Sequence, residues 1–266
     1  MDISDLRKGP HLSASAISDY LDCGLLYKLG RIDKLPPEFT ADALEFGVTI
    51  HRVLADFYQA KMSGEKLPLD ELLKNFETYW RQAAETRTDI KYKEGKSFHS
   101  LLQEGKSLLT VYYQNLPDDN FKVLAVEEPF SFTLDGIPVP IVGVLDLMEE
   151  DPEGSIIITD FKTSGKVYTN DEIDNSLQLT LYHMGMKSNG YRDREILLRF
   201  DVLVKTKQPK FEQYYTTRSD KDERRTINKI RKVWEGISKC VFIPNDNNWK
   251  CKGCCYKTAC EERLGR

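Results

Sequence analysis

The stretch Gly143 to Lys162, GVLDLMEEDPEGSIIITDFK, does most to constrain the fold. It reads as two strands joined by a tight turn. Asp151-Pro152-Glu153-Gly154 fits a type I turn, with Pro in the second position and Gly in the fourth. Before the turn, Val142, Val144, Asp146 and Met148 share one strand face at period two. After it, Ile156, Ile158, Asp160 and Lys162 do the same. Closing the hairpin sets Asp146 opposite residue 159 or 160. Two carboxylates and an ammonium then meet at one end of an apolar sheet. Solvated charges seldom end buried strands.

That arrangement has a chemical use. Paired carboxylates hold a hard divalent cation such as Mg²⁺ or Mn²⁺, which activates water and neutralises phosphate. Lys162, two residues past Asp160 on the same face, is placed to orient the water or to stabilise developing charge. A bare D-x-K is common, so the rest of the chain must decide.

Several function classes fall away. No Gly-rich phosphate loop occurs, which argues against a nucleotide-driven motor. The first residues lack an apolar signal segment, and no apolar run approaches a membrane span. A cytoplasmic protein with no membrane partner is expected. The net charge of −4 gives no global basic signal, so nucleic-acid binding would need local basic surface.

Around the hairpin, apolar spacing predicts helices over residues 11–29, with Ser13 or Ser15 as cap, and over 41–62, 67–85 and 97–115. Cys23 falls inside the first of these or at a break in it, where a small buried side chain would also serve. His51 sits at the edge of the second helix's apolar stripe. A charged loop, TRTDIKYKEGKS, separates the third and fourth helices; its lysines are solvated or touch a phosphate backbone. Strands follow at KVLAVEEPFSFTL and IPVPIVGVLDLM, turning at Asp135-Gly136. That register sets Glu127 opposite residue 144, near the acidic face; a slip of one residue would reverse it. A single helix is predicted over 171–188, with Gln178 and Tyr182 on one face. Two more strands turn around Gln208-Pro209, and a charged helix with Arg224, Arg225, Lys229, Arg231 and Lys232 spans 219–239. That face is solvated or binds phosphates.

Five of the six cysteines crowd the last residues: Cys240, Cys251, Cys254, Cys255 and Cys260. Cys251-x2-Cys254-x5-Cys260 has metal-ligand spacing. A fourth thiolate must come from Cys23, Cys240 or Cys255, for zinc or for an iron–sulfur cluster.

Taken in order, SASAISDYLDC, GVTIH, GVLD, TDFKT, QLTLY and C-x2-C-x5-C resemble the RecB-like branch of the PD-(D/E)XK nuclease superfamily, nearest to the CRISPR-associated RecB-like exonucleases and AddB nuclease domains. The resemblance runs from Ser13 to Cys260. It implies an α/β, restriction-endonuclease-like core: a mixed central sheet flanked by helices, with an N-terminal helical region and a C-terminal Cys-rich clasp. It implies one domain over 1–266, mainly helical in 1–118, with the catalytic sheet in 119–218 and the last helix and cysteines in 219–266. His51, Asp146, Asp160 and the Phe161 carbonyl would hold Mg²⁺ or Mn²⁺. Lys162 would be the catalytic lysine, and Gln178 and Tyr182 would lie beside the site and engage DNA. Cys23, Cys251, Cys254 and Cys260 would bind a 4Fe–4S cluster that pins the tail to the first helix. Glu127 and Cys255 are additional candidates; Cys255 is an extra thiol beside Cys254.

The activity so implied is metal-dependent exonucleolytic hydrolysis of single-stranded DNA or DNA ends, alongside helicase, recombination or CRISPR adaptation proteins. Two rival readings are a catalytically inactive DNA- or helicase-binding subunit of the same fold, and an adaptor holding Zn²⁺ at the cysteines.

Overall fold

The computed structural model of the chain describes residues 3–246 and 249–265. Along the chain come α1 (Ile3–Leu6), α2 (Ala14–Asp22), α3 (Gly24–Tyr27), a π-helical turn (Lys28–Ile32), β1 (Thr40–Ala41), α4 (Asp42–Met62), α5 (Leu69–Ala84), β2 (Ile90–Lys91) and α6 (Phe98–Asn115). Then follow β3 (Lys122–Leu134), β4 (Ile137–Glu150), β5 (Ile156–Ser164), α7 (Asn170–Asp174), α8 (Leu177–Met186) and a second π-helical turn (Lys187–Tyr191). The chain continues through β6 (Ile196–Val204), β7 (Lys210–Thr216), α9 (Asp220–Ser238), a 3-10 turn (Trp249–Gly253) and α10 (Lys257–Leu264). No helix among the described residues is long and apolar enough to cross a membrane.

The chain divides into two compact units. The larger comprises Ala41–Phe130 and Val144–Arg218; the smaller comprises Met1–Thr40, Ser131–Gly143 and Ser219–Arg266.

The larger unit is organised on a five-stranded sheet of order β3-β4-β5-β6-β7. β4–β5 and β6–β7 pair antiparallel, whereas β5–β6 is parallel, so the sheet is mixed. A parallel step needs a crossover, and α7 and α8 supply it. The Asp151–Gly154 turn forms as predicted: Gly154 N–H donates to the Asp151 carbonyl at 3.0 Å. On one face, Phe46, Ile50, Val53 and Leu54 of α4 are fully buried, as their helical spacing requires. They join Phe76, Trp80, Leu109, Tyr112, Leu147 and Phe161 in one core. A Ser97/Ser100 capping box starts α6.

The helix predicted over 171–188 is two helices. Ser176 accepts from Leu179 N–H and caps α8, so the backbone turns at Asn175–Ser176. Arg218 fixes that break, donating to the Ile173 carbonyl at 2.9 Å and to Thr180 Oγ1 at 2.8 Å. Patterning over 171–188 alone carries no sign of a tie from so far downstream. The charged loop also holds more order than expected: β2 pairs with β1.

In the smaller unit, Ser13 caps α2 through Ala16 N–H. Leu12 bridges to Ile141, and Tyr20, Tyr27 and Phe242 pack ring on ring. A Ser219/Asp222 capping box starts α9. The tail carries α10, a helix the cysteine spacing did not suggest.

Candidate active site

The β4–β5 ladder runs from Glu150↔Ile156 to Leu147↔Thr159. One step further lie Asp146 and Asp160, and there the ladder opens. Phe161 N–H donates at 2.8 Å to the Asp146 carboxylate rather than to a strand carbonyl. β5 meanwhile stays paired to β6 as far as Ser164↔Val204. The two acids therefore sit where two strands part, and both are buried, Asp160 completely.

Three ligand atoms converge at this fork. His51 of α4 brings Nδ1 to 3.3 Å from Asp146 Oδ2. Glu127 of β3 joins them, and the ligand atoms of His51, Glu127 and Asp146 lie within 4.8 Å of one another. Glu127 has φ +52, a left-handed conformation that costs a non-glycine residue about 1 kcal/mol or more and breaks the strand's alternation. Strand parity could not foresee that deviation.

The charges are mutually dependent. Burial pulls the His51 imidazole down, but its hydrogen bond to Asp146 and the two aspartate charges outweigh this and raise it. Burial and the neighbouring Asp146 push Glu127 up to about 7, although the residue as a whole is exposed. Such crowding of carboxylates is relieved by a cation.

Asp160, beside that trio, joins a ring of hydrogen bonds closed by an ion pair. Its Oδ2 lies 2.5 Å from Lys162 Nζ. Lys162 Nζ donates to Gln178 Oε1 at 2.8 Å, Gln178 Nε2 donates to Tyr182 Oη at 2.8 Å, and the Tyr182 hydroxyl returns to Asp160 Oδ1 at 3.1 Å. Burial raises Asp160 above the usual carboxylate range. Burial lowers Lys162, yet Asp160 beside it outweighs this and holds the ammonium above an ordinary lysine. Gln178 and Tyr182 reach β5 because α8 packs tightly: a Cβ on Gly185 would stand 2.5 Å from Phe130, whose ring meets Tyr182 edge to face.

The structure thus gathers His51, Glu127, Asp146, Asp160, Lys162, Gln178 and Tyr182 into one site. It differs from expectation in the inner set. Glu127, an additional candidate, converges with His51 and Asp146, while Asp160 pairs with Lys162. Phe161 enters through its N–H, which orients Asp146.

The cysteines gather in the smaller unit. Cys23, Cys251, Cys254, Cys255 and Cys260 line a cavity of about 460 Å³ floored by Leu25 and Leu29. Cys23 stands at the break between α2 and α3 and accepts N–H bonds from Leu26 at 3.5 Å and Asn245 at 3.4 Å. Burial raises Cys254 and Cys260, and each also feels Cys23 and Cys251. Cys255 is raised by burial and by Cys254 beside it. Cys240 is exposed and does not line the cavity.

Known proteins resemble this chain in sequence and in fold. Over 187 residues, 64% of the chain, the sequence is 28% identical to one of the subunits of the ATP-dependent helicase/deoxyribonuclease of Streptococcus uberis; the match spans 15% of that protein's length. The fold is similar to the crystal structure of a candidate exonuclease from Eubacterium rectale, with a TM-score of 0.53 and 9% identity over 91% of this chain and 87% of that one. The PD-(D/E)XK nuclease superfamily matches residues 11–261, a span that takes in the strand fork, the ring and the cysteines. On that match, this chain belongs to the PD-(D/E)XK nuclease superfamily.

Proposed function

We propose that the protein is a divalent-metal-dependent deoxyribonuclease of the RecB-like branch, hydrolysing single-stranded DNA or DNA ends. The observation that carries this reading is the convergence of His51, Glu127 and Asp146 beside the ring that fixes Lys162. One imidazole and two carboxylates suit Mg²⁺ or Mn²⁺, with Asp160 and the Phe161 carbonyl next in line as donors. Bound there, such a cation supplies Lewis-acid polarisation of the phosphate and makes water acidic.

The chain's own groups do the rest. Lys162 uses two N–H donors on Asp160 and Gln178 and keeps a third for the water or a phosphate oxygen. Asp160 holds that ammonium charged. His51 and the Phe161 N–H hold the Asp146 carboxylate in one orientation.

The test is digestion of end-labelled single- and double-stranded DNA with Mn²⁺, Mg²⁺ or EDTA. Cleavage that EDTA abolishes, yielding a ladder from one end, is the expected outcome. Binding without cleavage in either metal would favour the inactive-subunit reading.

The reading extends to a 4Fe–4S cluster on Cys23, Cys251, Cys254 and Cys260, which line one cavity. Tetrahedral zinc brings thiolates to about 3.8 Å of one another. Among the described residues no three of these sulfurs converge within 4.8 Å, so the cradle suits a larger group better than one zinc ion. Anaerobically purified protein is expected to be brown and to carry about four iron atoms per chain. Cys254→Ser should lose the colour and Cys255→Ser keep it; a colourless, zinc-loaded protein would remove the cluster from the reading.

A further inference from the structure

One cation near the site has no task in the ring. Lys205 follows β6, and its N–H donates to the Ser164 carbonyl at the end of β5, two residues past Lys162. Its ammonium is half-buried and lies 5.1 Å from the centre of the Phe46 ring of α4. The two acids whose charges it feels are already engaged. Asp42 accepts the backbone N–H groups of Ala43 and Lys93 at 2.7 and 3.0 Å, and Glu104 is paired with Lys96. Burial lowers the affinity of Lys205 for its proton, and Lys93 and Lys96 oppose its charge further. Among the described residues this half-buried ammonium makes no ion pair of its own, and the two acids whose charges it feels are committed elsewhere.

The surroundings say what kind of anion. The Asp42–Lys93 hydrogen bond draws the basic loop to the start of α4. Phe46 lies five residues before His51, about 7.5 Å along the helix. Between them Gly47 presents no side chain: a Cβ there would meet only Thr163 Oγ1, at 3.8 Å. The bare Gly47 backbone thus lies within contact range of Thr163 of β5, one helical turn before His51 and one residue before the Ser164 that Lys205 bonds.

We propose that Lys205, close to the loop that Asp42 ties down at Lys93, binds a backbone phosphate of the DNA strand next to the one that is cut. The proposal rests on the nuclease reading and adds to it the path of the strand along α4. The subsite reads no base and is indifferent to sequence.

The test uses the full chain in EDTA, so that nothing is cut, with a fluorescein-labelled single-stranded oligonucleotide titrated by anisotropy across a KCl series. Lys205→Met keeps the aliphatic stem on Phe46. It should weaken binding about tenfold at low salt. It should also flatten the log K against log salt slope by about 0.7, one phosphate's share. Lys205→Arg should restore the slope. Should Lys205→Met fold poorly, lysine footprinting of the wild-type protein answers the same question: the oligonucleotide should protect Lys205 and Lys93 from acylation. A parent that binds with a salt slope unchanged in Lys205→Met, or equal labelling with and without DNA, overturns the subsite and leaves the nuclease reading intact. A parent that neither binds nor cuts DNA overturns both.

Discussion

Lys162→Met should cut DNA about 10²–10³-fold more slowly than the parent under single-turnover conditions in saturating Mn²⁺, the loss typical of one donor aimed at developing charge. The ring makes the prediction sharper. Gln178 touches Lys162 and Tyr182 touches Asp160, so Gln178→Ala and Tyr182→Phe should each slow cleavage about tenfold by loosening the ammonium. In the Lys162→Met background, Gln178→Ala should then cost almost nothing more, because the group it positions is gone. Additive losses would mean that Gln178 acts on the substrate by itself. The same Lys162 substitution leaves a fully buried Asp160 without its cation. Burial already sets the folded-state pKa of Asp160 above its unfolded value. The folded protein therefore binds the extra proton, and stability falls as pH rises through the folded value. Metal-free Lys162→Met should show a steeper loss of stability towards neutral pH than the parent.

Much of the site was legible because it follows strand parity. Asp146, Asp160 and Lys162 could be placed on one face from period two, and the turns at 135–136 and 151–154 fixed the meander. His51 and the Gln178–Tyr182 pair came from order and resemblance. Their hydrogen bonds cross the fold and leave no local signal. Glu127 was placed near the acids by register, but its left-handed backbone is a tertiary effect. The helix break at Ser176 depends on Arg218, far along the chain. Cys254 and Cys255 are adjacent in sequence and line the same cavity, so spacing alone does not choose between them. Lys205 sits in a plain basic turn, KTKQPK, and becomes unusual only once Asp42 and Glu104 are seen to be engaged elsewhere.

The same sheet carries a second pair of acids on its other face, and the contrast shows what leaves the first pair open to a cation. In the β5–β6 register Asp160 neighbours Phe200, while Phe161 neighbours Asp201 and Thr159 neighbours Arg199. Parity puts Glu149, Arg199 and Asp201 opposite the face that carries Asp146 and Asp160. All three are essentially without solvent contact. Arg199 pairs with Glu149 and with Asp201, each at 2.9 Å, and donates to the Tyr215 hydroxyl at 3.1 Å. Lys61 adds a second cation at 3.2 Å from Glu149. Here the acids are neutralised by arginine and closed in by Tyr58 and Tyr112, whose hydroxyls meet at 2.7 Å. At the strand fork no arginine among the described residues pairs with the acids, and the carboxylates stay available to a cation. Arg199→Met should therefore lose about 3–5 kcal/mol, because buried Glu149 keeps only Lys61 as a cation and buried Asp201 keeps only the hydrogen bond from Gln213. Burial holds Asp201 at about 6 even with Arg199 present, and without the guanidinium it must rise further. A raised folded-state pKa places the lost stability at higher pH. Urea denaturation should show the variant's deficit largest near pH 8 and smaller near pH 5. Phe161, stacked on Tyr58 from this face, carries the damage across the sheet, since its N–H orients Asp146 on the other side. A variant as stable as the parent at pH 8 would mean that Arg199 does not hold the strands at the fork in register.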